Sequence, residues 1–193
     1  MLYYCPQIWC SDDTDAVERT TIQYGTSFFY PISAVGSHVS AVPNHQTGRI
    51  TPLETRAVTA MAGSFGYELD LNTLSDSEKE QVKNQIVRFK KDGPLIHNGI
   101  YYRLSNPMTD KLAAWEFVSE DRREALVGGV VFRTEPNSLQ YRIKLRGLIP
   151  EAKYSLLESG ECYTGSALMS GGVLLPKTWG DYAPIELHFT AQT

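Results

Sequence analysis

Asp12, Asp13 and Asp15 stand close together between an apolar, aromatic run at residues 2–9 and an amphipathic stretch that follows them. Neighbouring carboxylates disfavour one another's ionisation, so one member of such a group can keep its proton where an isolated acid would lose it. A carboxylic acid of raised pKa is the group that protonates a glycosidic oxygen. The plainer reading is that these acids cap the next helix and otherwise lie in water, because aspartate is a favoured helix-start residue. Pattern alone leaves both readings open.

Other reactive side chains lie nearby. His38 and His45 are metal-ligand types, but their spacing to the aspartates fits no metal motif. No metal and no cofactor are therefore expected, and His38 reads as a hydrogen-bonded residue at a strand end. Arg49 is placed to pair with a carboxylate. Trp9, just ahead of the acids, can stack on a sugar ring or pack beneath them. Gly128-Gly129 and Gly171-Gly172 lack the strand–loop–helix setting and the following Lys-Ser/Thr of a phosphate loop.

The elements that must hold the acids alternate. Residues 2–9 have the apolar character of a buried strand. Asp15 with Glu18 marks a helix start, Val17, Thr21 and Tyr24 share a face of that helix, and Gly25 can end it. Residues 28–39 form a second strand candidate, interrupted by Pro31 and Gly36. Thr51-Pro52-Leu53-Glu54 starts a second helix whose buried face is Leu53, Ala57, Ala60 and Met61. Residues 65–71 predict a third strand. Ser75 with Glu78 starts a third helix carrying Val82, Ile86 and Phe89 on one face, and Gly93-Pro94 stops it. Strand and helix in alternation imply a parallel sheet covered by helices. Three such units are too few for a closed (β/α)8 TIM barrel but suit the last part of one.

From His97 the pattern becomes all-β. Residues 99–104, 113–119, 124–132, 139–145, 153–157 and 185–190 read as strands, and Tyr141-Arg142-Ile143-Lys144-Leu145-Arg146 alternates polar with apolar residues. The expected organisation is therefore α/β plus all-β: residues 1–96 as the end of a barrel and residues 97–193 as a C-terminal antiparallel β-sandwich. Trp115 falls in an apolar run and is expected in the core; Trp179 is the candidate for exposure.

Composition narrows the function classes. The 193 residues are 42% hydrophobic and 21% charged, as in a globular chain. A net charge of -4 offers no attraction for nucleic acid or an anionic membrane, so neither is expected as a partner. No apolar run reaches membrane-spanning length and no secretory signal is visible. Cys5, Cys10 and Cys162 form neither a disulfide framework nor a zinc motif, which favours a reducing, cytoplasmic setting.

The run Trp9-Cys10-Ser11-Asp12-Asp13-Thr14-Asp15-Ala16-Val17-Glu18-Arg19 resembles the W-x-S-D-[ND]-T-D-A-x-x-R signature of the α-galactosidases of glycoside hydrolase family 36. The likeness continues through Ile22-Gln23-Tyr24-Gly25-Thr26-Ser27, Tyr30-Pro31-Ile32-Ser33, Gly36-Ser37-His38-Val39-Ser40 and Pro43-Asn44-His45-Gln46-Thr47-Gly48-Arg49. Gly66-Tyr67-Glu68-Leu69-Asp70 and the late Gly180-Asp181-Tyr182 also fit. The resemblance implies a retaining exo-enzyme of carbohydrate metabolism that removes terminal α-galactose from melibiose, raffinose and stachyose. It implies no metal, two catalytic aspartates, and an oligomeric full-length enzyme. It makes Asp12 the general acid/base and Asp15 an orienting or capping residue.

Departures from the family pattern carry their own expectations. The K-W-D-M-N type segment that holds the family nucleophile is not found in these residues, nor are the paired aspartates with a tryptophan or the C-x-x-G-x-G-R segment. Met1 aligns with an internal methionine of the family. The chain is thus expected to be a C-terminal fragment that carries the acid/base without the nucleophile, and to be inactive in isolation. The alternatives are a non-catalytic carbohydrate-binding module and a piece that complements a separately supplied barrel.

Overall fold

The computed structural model describes residues 2–137 and 140–192. The chain divides into two compact units, Met1–His97 and Asn98–Thr193.

The first unit is built on parallel pairing. Ile8 bridges Val35 in parallel, with its N–H on the Ala34 carbonyl at 2.8 Å and its carbonyl accepting from Gly36 N–H at 2.9 Å. Strand β1 (Gly36–Ser40) pairs in parallel with β2 (Ser64–Glu68), in a register that sets His38 beside Gly66. Helix α1 (Ala16–Thr26) lies between Ile8 and β1, α2 (Leu53–Met61) between β1 and β2, and α3 (Asp76–Asn98) after β2. Val39, Leu53, Ala57, Ala60, Met61 and Val82 form its apolar core, with Phe65, Ile86 and Phe89 packed against them. The expected face of α2 is buried, but so are Thr55, Arg56, Val58 and Thr59, so the helix is enclosed on nearly every side.

Several elements depart from the sequence expectation. The strand expected at 28–39 is confined to β1, because Pro31 leads into a 3-10 turn at Ile32–Ala34. Helix α3 does not stop at Gly93-Pro94; Pro94 lies inside it and the helix runs on to Asn98. A proline this near the C-terminal end forfeits one hydrogen bond while the rest of the helix stays packed. Helix α1 buries Ala16, Arg19, Thr20 and Gln23 rather than the face of Val17, Thr21 and Tyr24. That face is held by polar bonds. Arg19 Nη2 donates to the Gly36 carbonyl at 2.6 Å, Gln23 Nε2 to the Thr59 carbonyl at 3.1 Å, and Ser37 Oγ to Gln23 Oε1 at 2.7 Å.

The second unit is a mainly antiparallel β structure. A six-stranded sheet runs in the order β3-β4-β5-β10-β7-β8, from β3 (Ile100–Arg103), β4 (Leu112–Val118), β5 (Glu124–Val131), β7 (Lys153–Leu156), β8 (Cys162–Thr164) and β10 (Ala183–Ala191). β6 (Arg142–Ile143) pairs with β9 (Val173–Leu174), and α4 (Gly165–Ser170) precedes that pair. Ile143, Leu145 and Val173 share one core with Leu112, Val127, Leu187 and Phe189. The expected alternation at 141–146 holds, with Ile143 and Leu145 buried and Arg142, Lys144 and Arg146 exposed. The paired strand there is only β6, and Leu139, expected to open it, lies outside the described residues. Trp115 is buried and covers Gly128, its partner on β5: a Cβ at Gly128 would stand 2.6 Å from the indole nitrogen. In the other glycine pair, Gly172 takes φ +76° and packs against the Ile143 carbonyl. Among the described residues no helix is long and apolar enough to cross a membrane.

Candidate active site

The three acids follow the Ile8 bridge, on the side toward which β1 and β2 also run. Residues just beyond β1 hold that segment in place. Ser40 Oγ donates to the Thr14 carbonyl at 2.9 Å, Asn44 Nδ2 to Thr14 Oγ1 at 3.3 Å, and Gln46 Nε2 to the Asp12 carbonyl at 3.3 Å. The acidic segment therefore lies along the C-terminal end of β1, where parallel α/β folds commonly place reactive side chains.

Within this frame the three carboxylates take different tasks. Asp15 is buried and is the N-cap of α1, its Oδ1 accepting from Val17 N–H at 2.8 Å and Glu18 N–H at 3.2 Å. Its other oxygen accepts from Thr47 Oγ1 at 2.6 Å, and Arg49 forms an ion pair with it. Burial pushes this carboxyl up, but the Thr47 hydroxyl, the two amides and the Arg49 guanidinium outweigh it and hold the pKa below the usual value. The sequence expectation was an acid raised by its neighbours; Asp15 moves the other way because its neighbours are donors. Asp13 closes a local turn, its Oδ1 accepting from Asp15 N–H at 2.9 Å, and is half-buried.

Asp12 is the acid left at the surface. Its Oδ1 accepts from Trp9 Nε1 at 2.7 Å. The indole in turn lies against the His38 ring, with centroids 4.9 Å apart. His38 sits in the middle of β1 rather than at its end, and Gly66 leaves room for it: a Cβ there would stand 2.8 Å from His38 Cδ2. The carboxylate is thus oriented by a chain of contacts, from Gly66 through His38 and Trp9 to Asp12. Trp9 is 49% exposed, so it neither lies deep beneath the acids nor stands clear of them. His45 is exposed in the loop after β1. Arg49 pairs with Asp15 and, at 3.1 Å, with Glu18, as its position in the sequence suggested.

Sequence reasoning missed Thr47, Asn44 and Gln46, which tie the loop after β1 to the acids. It also missed a cleft of about 700 Å³ lined by Gln7, Ile8, Trp9, Cys10, Phe29 and Tyr30 among others. The signal was present in the aromatic pair Phe29-Tyr30, which stays exposed after folding.

Chemically, one exposed carboxyl steered by an indole N–H can give a proton to a leaving oxygen and take one from water. Comparison with known proteins places this arrangement in a family. The Melibiase family model matches residues 1–99, and that of the glycosyl hydrolase family 36 C-terminal domain matches residues 112–189. The bifunctional alpha-galactosidase/sucrose kinase AgaSK of Mediterraneibacter gnavus is 56% identical over 190 residues, which are 98% of this chain and 20% of that protein. Alpha-galactosidase AgaA of Geobacillus stearothermophilus is 49% identical over 182 residues, 94% of this chain and 25% of AgaA. The solved galactosidase domain of AgaSK superposes with a TM-score of 0.97 at 56% identity, covering 100% of this chain and 27% of that one. A variant of AgaA in complex with raffinose superposes with a TM-score of 0.96 at 46% identity, covering 100% and 27%. The chain therefore spans 20% to 25% of the length of these two curated relatives. On the two family matches and this similarity, the chain belongs to glycoside hydrolase family 36, the family of these α-galactosidases, and corresponds to its C-terminal portion.

Proposed function

We propose that these residues are the acid/base-bearing part of a retaining α-galactosidase that releases terminal α-D-galactose from oligosaccharides of the melibiose and raffinose type. Asp12 protonates the departing glycosidic oxygen in the first step and deprotonates water in the second. The observation that carries this reading is the division of labour among the acids. Asp15 and Asp13 are engaged in capping and turn formation, while Asp12 is exposed and oriented by Trp9. Complexes of AgaA variants with raffinose and with stachyose support this substrate class.

A retaining mechanism also needs a nucleophilic carboxylate about 5–5.5 Å from the acid/base. In this reading it comes from sequence outside these residues, so the 193-residue polypeptide alone does not hydrolyse α-galactosides. The first unit (1–96) serves as the last βα units of a (β/α)8 barrel, and the second (97–193) as a β-sandwich. The barrel-complementing role is favoured by the exposed aromatic side chains Tyr3, Tyr4, Phe29 and Tyr30 in the first unit. The free thiols of Cys5 and Cys162, both exposed, favour a reducing compartment such as the cytoplasm.

The test is a segment exchange. The chain replaces its counterpart in the galactosidase domain of AgaSK, and raffinose hydrolysis is measured. The chimera is expected to be active, and Asp12→Asn is expected to lower kcat by roughly 10²–10⁴-fold. Activated aryl galactosides, whose leaving group needs less protonation, are expected to be spared in the first step. Undiminished raffinose turnover by Asp12→Asn removes Asp12 from the mechanism. The isolated chain is expected to leave p-nitrophenyl-α-galactoside intact; turnover lost in Asp12→Asn would refute the divided site.

A further inference from the structure

The second unit contains a cleft of about 790 Å³ whose lining includes Trp179, Tyr141, Gln140, Asn137, Thr178 and Glu135. It lies among residues that take no part in the reading of Asp12. Its size falls within the range of ligand pockets.

The two loops that form it are cross-tied. Thr134 N–H donates to Asp181 Oδ1 at 2.9 Å, and the Thr134 hydroxyl donates to the Gly180 carbonyl at 2.5 Å. At the other end Leu175 N–H donates to the Tyr141 carbonyl at 2.8 Å, and Gln140 Nε2 reaches the Leu175 carbonyl at 3.4 Å. The gap between the loops is thus held open by bonds at both ends.

Its chemistry is selective. Trp179 is 80% exposed, a costly position for an indole, and Lys177 Nζ lies 4.7 Å from its ring centroid. Amide and hydroxyl groups from Asn137, Gln140, Thr178 and Tyr141 line the same space. Glu135, the acid among the lining residues, is already paired with Lys111. Lys177, the cation among the lining residues, lies over the Trp179 ring, and a wholly apolar ligand would strand the amides. A neutral polyol with an apolar ring face satisfies both surfaces.

We propose that this cleft is an oligosaccharide-binding site, in which a pyranose ring stacks on the indole of Trp179 and its hydroxyls bond the amide and hydroxyl groups of the other lining residues. The site is independent of Asp12, so its failure and that of the catalytic reading are separable.

The test uses the 193-residue protein and raffinose as the probe, following the indole N–H resonances by NMR. Raffinose is expected to shift the Trp179 indole resonance saturably. Trp179→Ala is expected to weaken binding by roughly tenfold, the scale of one lost aromatic contact. Because Trp179 is at the surface, its removal leaves the core intact. Asp12→Asn is expected to leave the affinity unchanged. A Trp179 resonance that ignores raffinose overturns the proposal. So does binding that survives Trp179→Ala but is lost in Asp12→Asn, which would locate the sugar at the acidic segment instead. Concentration-dependent shifts of the Trp179 resonance without sugar, absent from the Trp9 and Trp115 resonances, would also overturn it, since a second copy of the chain would then be the occupant.

Discussion

Glu116 and Asp15 are both acidic side chains withdrawn from water, and their surroundings drive them in opposite directions. Asp15 meets four donors, and its pKa is held down. Such a group stabilises the fold above its unfolded pKa, and the contribution is lost as pH falls through the lower folded value. The first unit is therefore expected to lose stability below about pH 4. Asp15→Ala is expected to destabilise it by about 1–3 kcal/mol at neutral pH, because it uncaps two helix amides and removes one of the two carboxylates that Arg49 pairs with; urea denaturation followed by circular dichroism checks this. Glu116 faces the core of the second unit with one oxygen accepting from Arg146 N–H at 2.9 Å and the other without a partner among the described residues. Burial pushes its carboxyl up to about 8. The folded state then binds a proton that the unfolded chain releases, so stability falls as pH rises from about 4.5 to about 8. Glu116→Gln is expected to remove most of that slope in Tm; an unchanged slope would mean that the carboxylate is paired or hydrated. The acidic cluster was visible in the sequence, and so was a capping role for Asp15. Glu116 was not, because it occupies a core-facing position in a strand that reads as apolar.

At the scale of elements, the orientation of Asp12 depends on a strand pair far from it in sequence. β1 and β2 set His38 against Gly66, and the space that glycine leaves lets the imidazole lie under Trp9. Gly66→Ala is expected to push the His38 ring off this position and loosen the bond from Trp9 to Asp12. In the chimeric enzyme that should lower kcat for raffinose while the thermal stability changes little, since the displaced ring is half-exposed. A fall in Tm with kcat intact would instead assign Gly66 a packing role only. Gly128 offers the contrasting case. A methyl there meets the Trp115 ring at 2.6 Å inside the buried sheet, so Gly128→Ala is expected to cost about 1–3 kcal/mol by overpacking. Equilibrium unfolding of the second unit measures it. Element legibility followed the type of contact. The apolar face of α2 and the Ser75–Glu78 box that starts α3 could be read directly, because residue type and spacing carry them. The buried face of α1 could not, since Arg19 and Gln23 hold it through carbonyls of distant segments, and a search for apolar periodicity passes over such residues. β8, β9 and α4 are short pieces whose pairing is fixed by the sheet around them.

At the scale of the whole molecule, the first unit leaves much aromatic surface in water. Tyr3 and Tyr4 are 90% and 85% exposed, and Phe29 is 85% exposed. Exposed apolar surface of this kind promotes association, as do parallel strands with unpaired edges. If the unit closes a barrel with sequence from elsewhere, that surface is the face awaiting cover, and the isolated chain should associate through it. Light scattering is expected to show species larger than a monomer. Phe29→Ser combined with Tyr3→Ser should shift them toward the monomer without loss of helix content. A monodisperse monomer with unmodified aromatic residues would mean that this surface is tolerated in water, and the barrel-completing role would lose its principal support.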